Sequence, residues 1–287
     1  MEISIIYNLK NDFLSVAVSS LGAEIQSVNC CGKEYMWEGR EFWKKHAPLL
    51  FPICGSITEP YVYRGVEYSL EKHGFISDLD FKAVSASDTK LILIARETAQ
   101  TLSSYPFKFE FTAKYTLNGK TLTSEYAIKN ASDEIMPYML GLHPAFALHG
   151  DSPKETFCLD FGESFTATQY RLAAPFINQT GFDRPIPDGK LYITDEIYTK
   201  GAIILGKTKS SIDFLSSGEK VFNMTWSDNF KNLCVWKYND DKARFVCIEP
   251  LTNIPSDGSK TDDLDEKKMQ RLEAGKTDTY FYTVAFC

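Results

Sequence analysis

Few side chains in this sequence can move a proton near neutral pH. Among 287 residues there are four histidines, His46, His73, His143 and His149, and histidine is the residue whose ordinary pKa lies nearest neutrality. His143 closes the apolar run Pro137-Tyr138-Met139-Leu140-Gly141-Leu142 and is followed by Pro144. Such a break puts an imidazole at a strand end, where it either serves a cleft or caps the strand half-buried. His73 precedes Gly74, which would let backbone or ligand approach beside the ring, though the same pair also suits an ordinary turn. His46, in Lys44-Lys45-His46-Ala47-Pro48, and His149 read as loop residues. Among the acids, Glu249 ends the run Arg244-Phe245-Val246-Cys247-Ile248-Glu249-Pro250. Alternation puts it on one face with Phe245 and Cys247. A carboxylate on an apolar face must be paired, raised in pKa or open to a polar cavity. Glu249 is therefore the best general-base candidate. Because Pro250 is expected to stop the strand, a solvent-facing strand-end glutamate is the plainer alternative.

Other chemistries leave no mark. There is no Gly-x-Gly-x-x-Gly or Walker loop, no Gly-x-Ser-x-Gly elbow and no His-Glu-x-x-His, so phosphate-cradling, serine-hydrolase and zincin readings are disfavoured. Asp262-Asp263-Leu264-Asp265-Glu266 lacks the spacing and central glycine of a calcium loop. The seven cysteines form no Cys-x-x-Cys pair, and most lie in apolar stretches, as Cys54, Cys158, Cys234 and Cys247 do. They read as reduced, mostly buried thiols, and no metal or other cofactor is expected. The adjacent Cys30-Cys31 pair reads as partly exposed.

The elements that must position these groups are strands. Phe109, Phe111, Ala113, Tyr115 and Leu117 alternate towards Asn118-Gly119, a strong hairpin signal, and Leu122, Tyr126 and Ile128 return. A second hairpin is expected at Arg64-Gly65, between Tyr61–Tyr63 and Val66–Leu70. Further strands are expected at Ile3–Leu9, Phe13–Ser19, Leu91–Arg96, Ala202–Leu205, Ser211–Leu215, Leu233–Lys237, Phe245–Ile248 and Thr279–Phe286. Helical signal is thin: one turn at Glu41–His46 and two at Asp263–Leu272 before Gly275. The stretch Ala173–Gly189, with Pro175, Pro185 and Pro187, reads as loop. These patterns predict an all-β chain of antiparallel sheets packed face to face, in one domain over residues 1–287.

Composition narrows the partners. Net charge is −7 at pH 7 and the pI about 5.3, which argues against a nucleic-acid partner. No apolar run approaches the ~20 residues of a membrane span, and Met1-Glu2-Ile3-Ser4 does not open a signal peptide, so a cytoplasmic monomer or homodimer is expected. Aromatic residues make up 14% of the chain, which suits strands first and sugar-stacking surfaces second.

Taken in order, these stretches resemble the aldose 1-epimerase (galactose mutarotase-like) family along nearly the whole chain. The likeness runs through Ser20-Leu21-Gly22-Ala23-Glu24-Ile25, Glu34-Tyr35-Met36-Trp37, Phe42-Trp43, Ala47-Pro48-Leu49-Leu50-Phe51-Pro52-Ile53, His73-Gly74-Phe75, Gly141-Leu142-His143-Pro144-Ala145-Phe146 and Phe245-Val246-Cys247-Ile248-Glu249-Pro250. Each motif is short; their order and spacing are specific. The resemblance implies a β-supersandwich binding a small-molecule sugar in a groove, and cofactor-free exchange of α and β anomers. It implies Glu249 as the base on the anomeric hydroxyl, His143 as the acid on the ring oxygen and His73 as a hydrogen-bonding partner near that oxygen. It further points to Ser56, Ser77 and Trp236 as sugar-binding positions. The chain departs from the family pattern at three places: Ser56 and Ser77 stand where arginines are usual, and Leu251 where a tryptophan often follows Glu-Pro. A serine cannot reproduce arginine's bidentate fork, so the sugar-holding groups are altered while the acid–base pair is kept. A free or lightly modified aldose is expected over a sugar phosphate. A non-catalytic sugar-binding or sensing protein on the same fold is the alternative.

Overall fold

The alternation from Phe109 is realised in full. Phe109–Asn118 and Thr121–Asn130 pair as an antiparallel hairpin, with Phe109, Phe111, Ala113, Tyr115 and Leu117 buried and the residues between them partly exposed. The turn sits one residue later than the Asn-Gly signal implies. Asn118 pairs with Thr121, so Gly119 and Lys120 make the connection, and Gly119 takes a φ of 56°. The second hairpin joins Tyr61–Tyr63 to Val66–Tyr68 across Arg64 and Gly65, at φ 49° and 75°, as a two-residue type I′ turn requires.

The computed structural model describes residues 4–149, 156–194, 202–240 and 242–287. The reading of Met1–Ile3, including the start of the first expected strand, lies outside them; the described strand is Ile6–Lys10. Two large antiparallel sheets dominate. One has nine strands in the order Lys190–Tyr192, Phe157–Asp160, Ser211–Ser216, Glu219–Trp226, Thr277–Phe286, Thr121–Asn130, Phe109–Asn118, Lys90–Arg96 and Lys82–Ala86. The other carries the site. It runs Phe176–Ile186, Phe165–Ala173, Ala202–Gly206, Asn232–Trp236, Phe245–Leu251, Gly141–Leu142 and Leu49–Leu50, with Ala145–Ala147 also paired to Phe245–Leu251. One hydrophobic cluster spans both sheets and the smaller N-terminal sheet built from Ile6–Lys10, Leu14–Ser19, Ile25–Cys30 and Lys33–Glu34. Phe51 is a central anchor, fully buried, with ring contacts to Phe75, Tyr105, Phe109, Phe111 and Tyr138 at 5.2–6.2 Å. No helix among the described residues is long and apolar enough to cross a membrane.

Three expectations are corrected. Phe176–Ile186, expected as loop, is an eleven-residue strand at the sheet edge, where Pro185 costs no interior ladder bond. No helix forms over Asp263–Leu272. Its start makes a single turn on the Asp263 carbonyl, and Gln270–Leu272 pairs with Met136–Tyr138. The Arg271 guanidinium satisfies the carbonyls of Leu264, Asp265 and Lys267 that a helix would have used. Glu41–His46 is likewise irregular. A short helix missed by periodicity, Ala99–Ser104, is held by a capping box between Thr98 and Thr101.

Candidate active site

Strand Phe245–Leu251 is the hub of the site. Gly141 pairs with Leu251 and Ala145 with Cys247, so His143, in the gap between them, falls opposite Glu249. On the other flank Cys234 pairs with Glu249 and Trp236 with Cys247. Two rows therefore cross three adjacent strands: His143–Glu249–Cys234 and Ala145–Cys247–Trp236. Contrary to expectation, the strand does not stop at Pro250. It continues to Leu251 with all seven residues buried, because proline removes a ladder donor without forbidding extended backbone. Glu249 is thus inside a central strand, and the solvent-facing alternative is excluded at 3% exposure.

His143 Nε2 lies 3.4 Å from Glu249 Oε1. The two are not aligned as a hydrogen bond, since Glu249 Oε1, like His143 Nδ1, has no hydrogen-bond partner among the described residues. Trp43 covers His143 at 4.9 Å and 32° between rings, and Trp236 meets it edge-on at 5.6 Å. His73 stands perpendicular to His143 at 5.8 Å. His73 is held by its own backbone and ring together: its N–H donates to the Gly55 carbonyl (2.8 Å), and its Nδ1 accepts from the Gly55 N–H (3.0 Å). When the ring is neutral, its proton is therefore on Nε2. The adjacent Gly74 has φ 74°, and a Cβ there would sit 2.3 Å from the Phe51 carbonyl oxygen, the oxygen that accepts from the N–H groups of Phe75 and Ile76. The segment after Leu49–Leu50 thus docks the histidine loop onto the sheet.

Burial sets the protonation states. Glu249 is pushed up to about 8 by desolvation, against the opposing pull of a hydrogen bond with Cys234 and the charge of Lys72. His143 is held well below its usual range by burial, with His73 and Lys72 adding to the effect. Burial and then Lys72 lower His73 to about 3. In the ligand-free site near neutrality, Glu249 keeps its proton and both imidazoles are neutral.

These groups line a cavity of about 650 Å³. Of the three positions expected to contact sugar, Ser77 and Trp236 line it; Ser56 is not among the lining residues, and its carbonyl accepts from the Ser256 N–H. His46 and His149 do not line it either. The His46 backbone N–H donates to the buried Glu24 carboxylate, as does that of Ala47, which gives the Gly-Ala-Glu element a bracing role. Trp43, Cys54 and Cys234 line the cavity without having been assigned to the site from the sequence; Lys72 lines it too, and so does the tip of the edge hairpin, Leu172 and Pro175 among them. Cys234 was recoverable by alternation from Trp236, whereas Trp43, Cys54, Lys72 and Pro175 sit on irregular backbone and Leu172 on Phe165–Ala173, where no strand was expected. Donor atoms of His143, Cys247 and Glu249 lie within 4.8 Å of one another, a nitrogen, sulfur and oxygen set of the kind zinc accepts. Acid–base chemistry at this pair needs no such ion.

The family described as aldose 1-epimerase matches residues 6–262 of this sequence. The chain belongs to the aldose 1-epimerase family. It is 29% identical to the plasmid-encoded LacX protein of Lactococcus lactis subsp. lactis over 283 residues, covering 90% of this chain and 91% of that one. Two solved structures superpose with TM-scores of 0.89. One is a galactose mutarotase related enzyme from Lactobacillus acidophilus, 26% identical, with 99% of this chain and 97% of that chain covered. The other is a galactose mutarotase-like protein from Lactobacillus casei, 25% identical, with 99% and 100% covered. The all-β galactose mutarotase-like fold expected from the sequence is the fold of this aldose 1-epimerase family member.

Proposed function

We propose that this protein interconverts the α and β anomers of a free or lightly modified aldose by acid–base ring opening. The observation that carries the reading is the direct opposition of Glu249 and His143 on neighbouring strands, 3.4 Å apart at the wall of a sugar-sized cavity. Ring opening needs one group to take the anomeric hydroxyl proton and one to protonate the ring oxygen. As Glu249 carboxylate takes that proton, the C1–O1 bond becomes a carbonyl, the bond from C1 to the ring oxygen breaks, and His143 imidazolium delivers its proton to the ring oxygen. Rotation about C1–C2 and reclosure on the other face return both protons. The pair carries one proton throughout: on His143 when the ring is closed, on Glu249 when it is open. The ligand-free site, with protonated Glu249 and neutral His143, holds that same count. His73, with its proton on Nε2, supplies a hydrogen bond near the ring oxygen.

Polarimetry on freshly dissolved single anomers of a panel of aldoses tests this. Wild type is expected to exceed the buffer rate for at least one sugar, and Glu249→Gln and His143→Asn each to lose about 100- to 10,000-fold. Variants that match an active wild type would remove the assigned roles. The replacement of two family arginines by Ser56 and Ser77 favours one other outcome, sugar binding by calorimetry with no rate enhancement across the panel. That outcome would make the protein a carbohydrate-binding module.

A further inference from the structure

A buried polar atom without a partner calls for a reason. Among the described residues, two such atoms belong to facing side chains: Oε1 of Glu249 and Nδ1 of His143, residues 3% and 8% exposed. Glu24, also buried, is by contrast saturated, accepting the N–H groups of His46 and Ala47 and the amide of Gln26. A third donor stands beside the pair. Cys247 is fully buried on the same face of its strand as Glu249. Its sulfur, a His143 ring nitrogen and a Glu249 carboxylate oxygen lie within 4.8 Å of one another. This spacing fits one ion. Around a tetrahedral zinc, bonds of about 2.0–2.1 Å to nitrogen and oxygen put those two atoms about 3.4 Å apart. His143 Nε2 and Glu249 Oε1, a pair not aligned as a hydrogen bond, are 3.4 Å apart. A bond of about 2.3 Å to sulfur puts a thiolate about 3.6 Å from each of them, inside the 4.8 Å that encloses all three donors. Charge fits as well. Thiolate and carboxylate cancel a divalent cation, and the imidazole adds a neutral ligand, so no net charge is buried. His143 and Glu249 line the cavity, which gives an ion its entrance and leaves a fourth position open to water or a hydroxyl.

We propose that His143, Cys247 and Glu249 bind a thiophilic divalent cation of the zinc class, and that the bound ion switches off the acid–base pair. Binding expels the protons of the Cys247 thiol and the Glu249 carboxyl to water and occupies the His143 lone pair. Neither His143 nor Glu249 can then exchange a proton with a sugar. The switching half of the inference rests on the proposed anomer exchange; the binding half does not. Cys247 is what makes the donor set selective. A nitrogen and an oxygen alone do not favour a thiophilic ion, and the sulfur does. Cys247 packs with Ala145 and Phe245 against Trp37, Trp43 and Trp236. It is not among the cavity-lining residues and has no part in the proposed ring opening.

The test adds cobalt(II), a spectroscopically visible substitute for zinc, to the full chain freed of metal by a chelator. The exposed thiols Cys31 and Cys287 are first replaced (Cys31→Ser, Cys287→Ser), so that a thiolate signal comes from buried cysteines. One equivalent of cobalt should give a thiolate-to-cobalt charge-transfer band and the strong d–d bands of a four-coordinate ion, and zinc should abolish both. Cys247→Ala should lose the charge-transfer band and bind zinc at least about tenfold more weakly by calorimetry; Cys247→Ser gives the same reading if the alanine variant does not fold. Cys54→Ala and Cys234→Ala, whose thiols line the cavity, should keep the band. Cobalt binding without the band, or a band that survives loss of Cys247, overturns the inference. In polarimetry, zinc should slow epimerisation and sugar should protect against it. Cys247→Ala should keep a metal-free rate near that of its parent and need at least about tenfold more zinc for the same inhibition. Zinc that binds without slowing an active enzyme overturns the switching half. If the metal-free protein epimerises no sugar, the proposed activity falls and the cobalt spectra alone decide the binding half. If sugar is epimerised and cobalt gives no thiolate band, the ion site falls and the activity stands.

Discussion

Replacing Glu249 by glutamine should change how stability depends on pH more than it changes stability at any single pH. In the unfolded chain this carboxyl has its ordinary value of 4.5; in the folded protein burial raises it to about 8. Between those values the native state holds a proton that the unfolded state has released. The sign follows from linkage: the contribution of Glu249 is fully present below 4.5 and is lost as pH rises through about 8. Each pH unit in that window costs about 1.4 kcal/mol. From pH 5 to pH 9 the wild type should therefore lose roughly 4 kcal/mol relative to Glu249→Gln, whose amide has no proton to lose. Urea unfolding followed by tryptophan fluorescence at pH 5, 7 and 9 measures the difference, with equal m-values confirming a common unfolding transition. A difference between the two proteins that is flat across this range, or that favours the wild type more as pH rises, would refute the assignment of Glu249 as a desolvated, protonated carboxyl.

Two further outcomes follow from the same geometry. In steady-state kinetics, kcat/KM should be level near neutrality and fall about tenfold per pH unit above about 8, where free Glu249 ionises and the pair loses its only proton; the acid limb, set by His143, should lie well below 6.5. Gly74→Ala forces a Cβ against the Phe51 carbonyl at a positive φ and should cost on the order of 1–3 kcal/mol in chemical denaturation, with a fall in kcat/KM from displacement of the neighbouring His73.

The fold was legible wherever alternation was long and the turn residues were strong. Phe109–Ile128 pairs as its alternation dictates, apart from the one-residue offset of its turn, because every second residue there faces one core, and Tyr61–Tyr68 is set by its Arg64-Gly65 turn, with Tyr61 and Tyr63 buried. Legibility failed at edges. Phe176–Ile186 carries polar and proline residues because, among the described residues, no strand pairs with its outer side, and those are the residues that also mark loops. It failed again at Asp263–Leu272, where a side chain, Arg271, takes over the carbonyls that helix periodicity would have claimed. In the site, Glu249 was readable as a carboxylate on an apolar face, and its physical cost announced it. His143 was not separable from a strand cap by local pattern, because its meaning depends on a register partner about a hundred residues away. Ser56 was carried by resemblance alone and is not among the residues lining the cavity, though Gly55 beside it is. Cys234 shows the reverse case: alternation with Trp236 placed it on the right face, yet nothing local distinguishes a cavity thiol from a core one.

That the proposed acid and base, His143 and Glu249, hang from adjoining strands of one sheet has a consequence for how the protein can diversify. Their separation is governed by the ladder spacing of about 4.8 Å, a dimension of the backbone that side-chain substitution scarcely alters. The hairpin tip around Leu172 and Pro175, by contrast, borders the cavity from the sheet's outermost strands, where length and sequence change at little cost to the rest of the ladder. On the proposed function, reaction and selectivity are thereby built on separable parts. Exchanging residues 172–176 for those of another family member should retune which sugar is accepted and leave the proton-transfer distance as it stands.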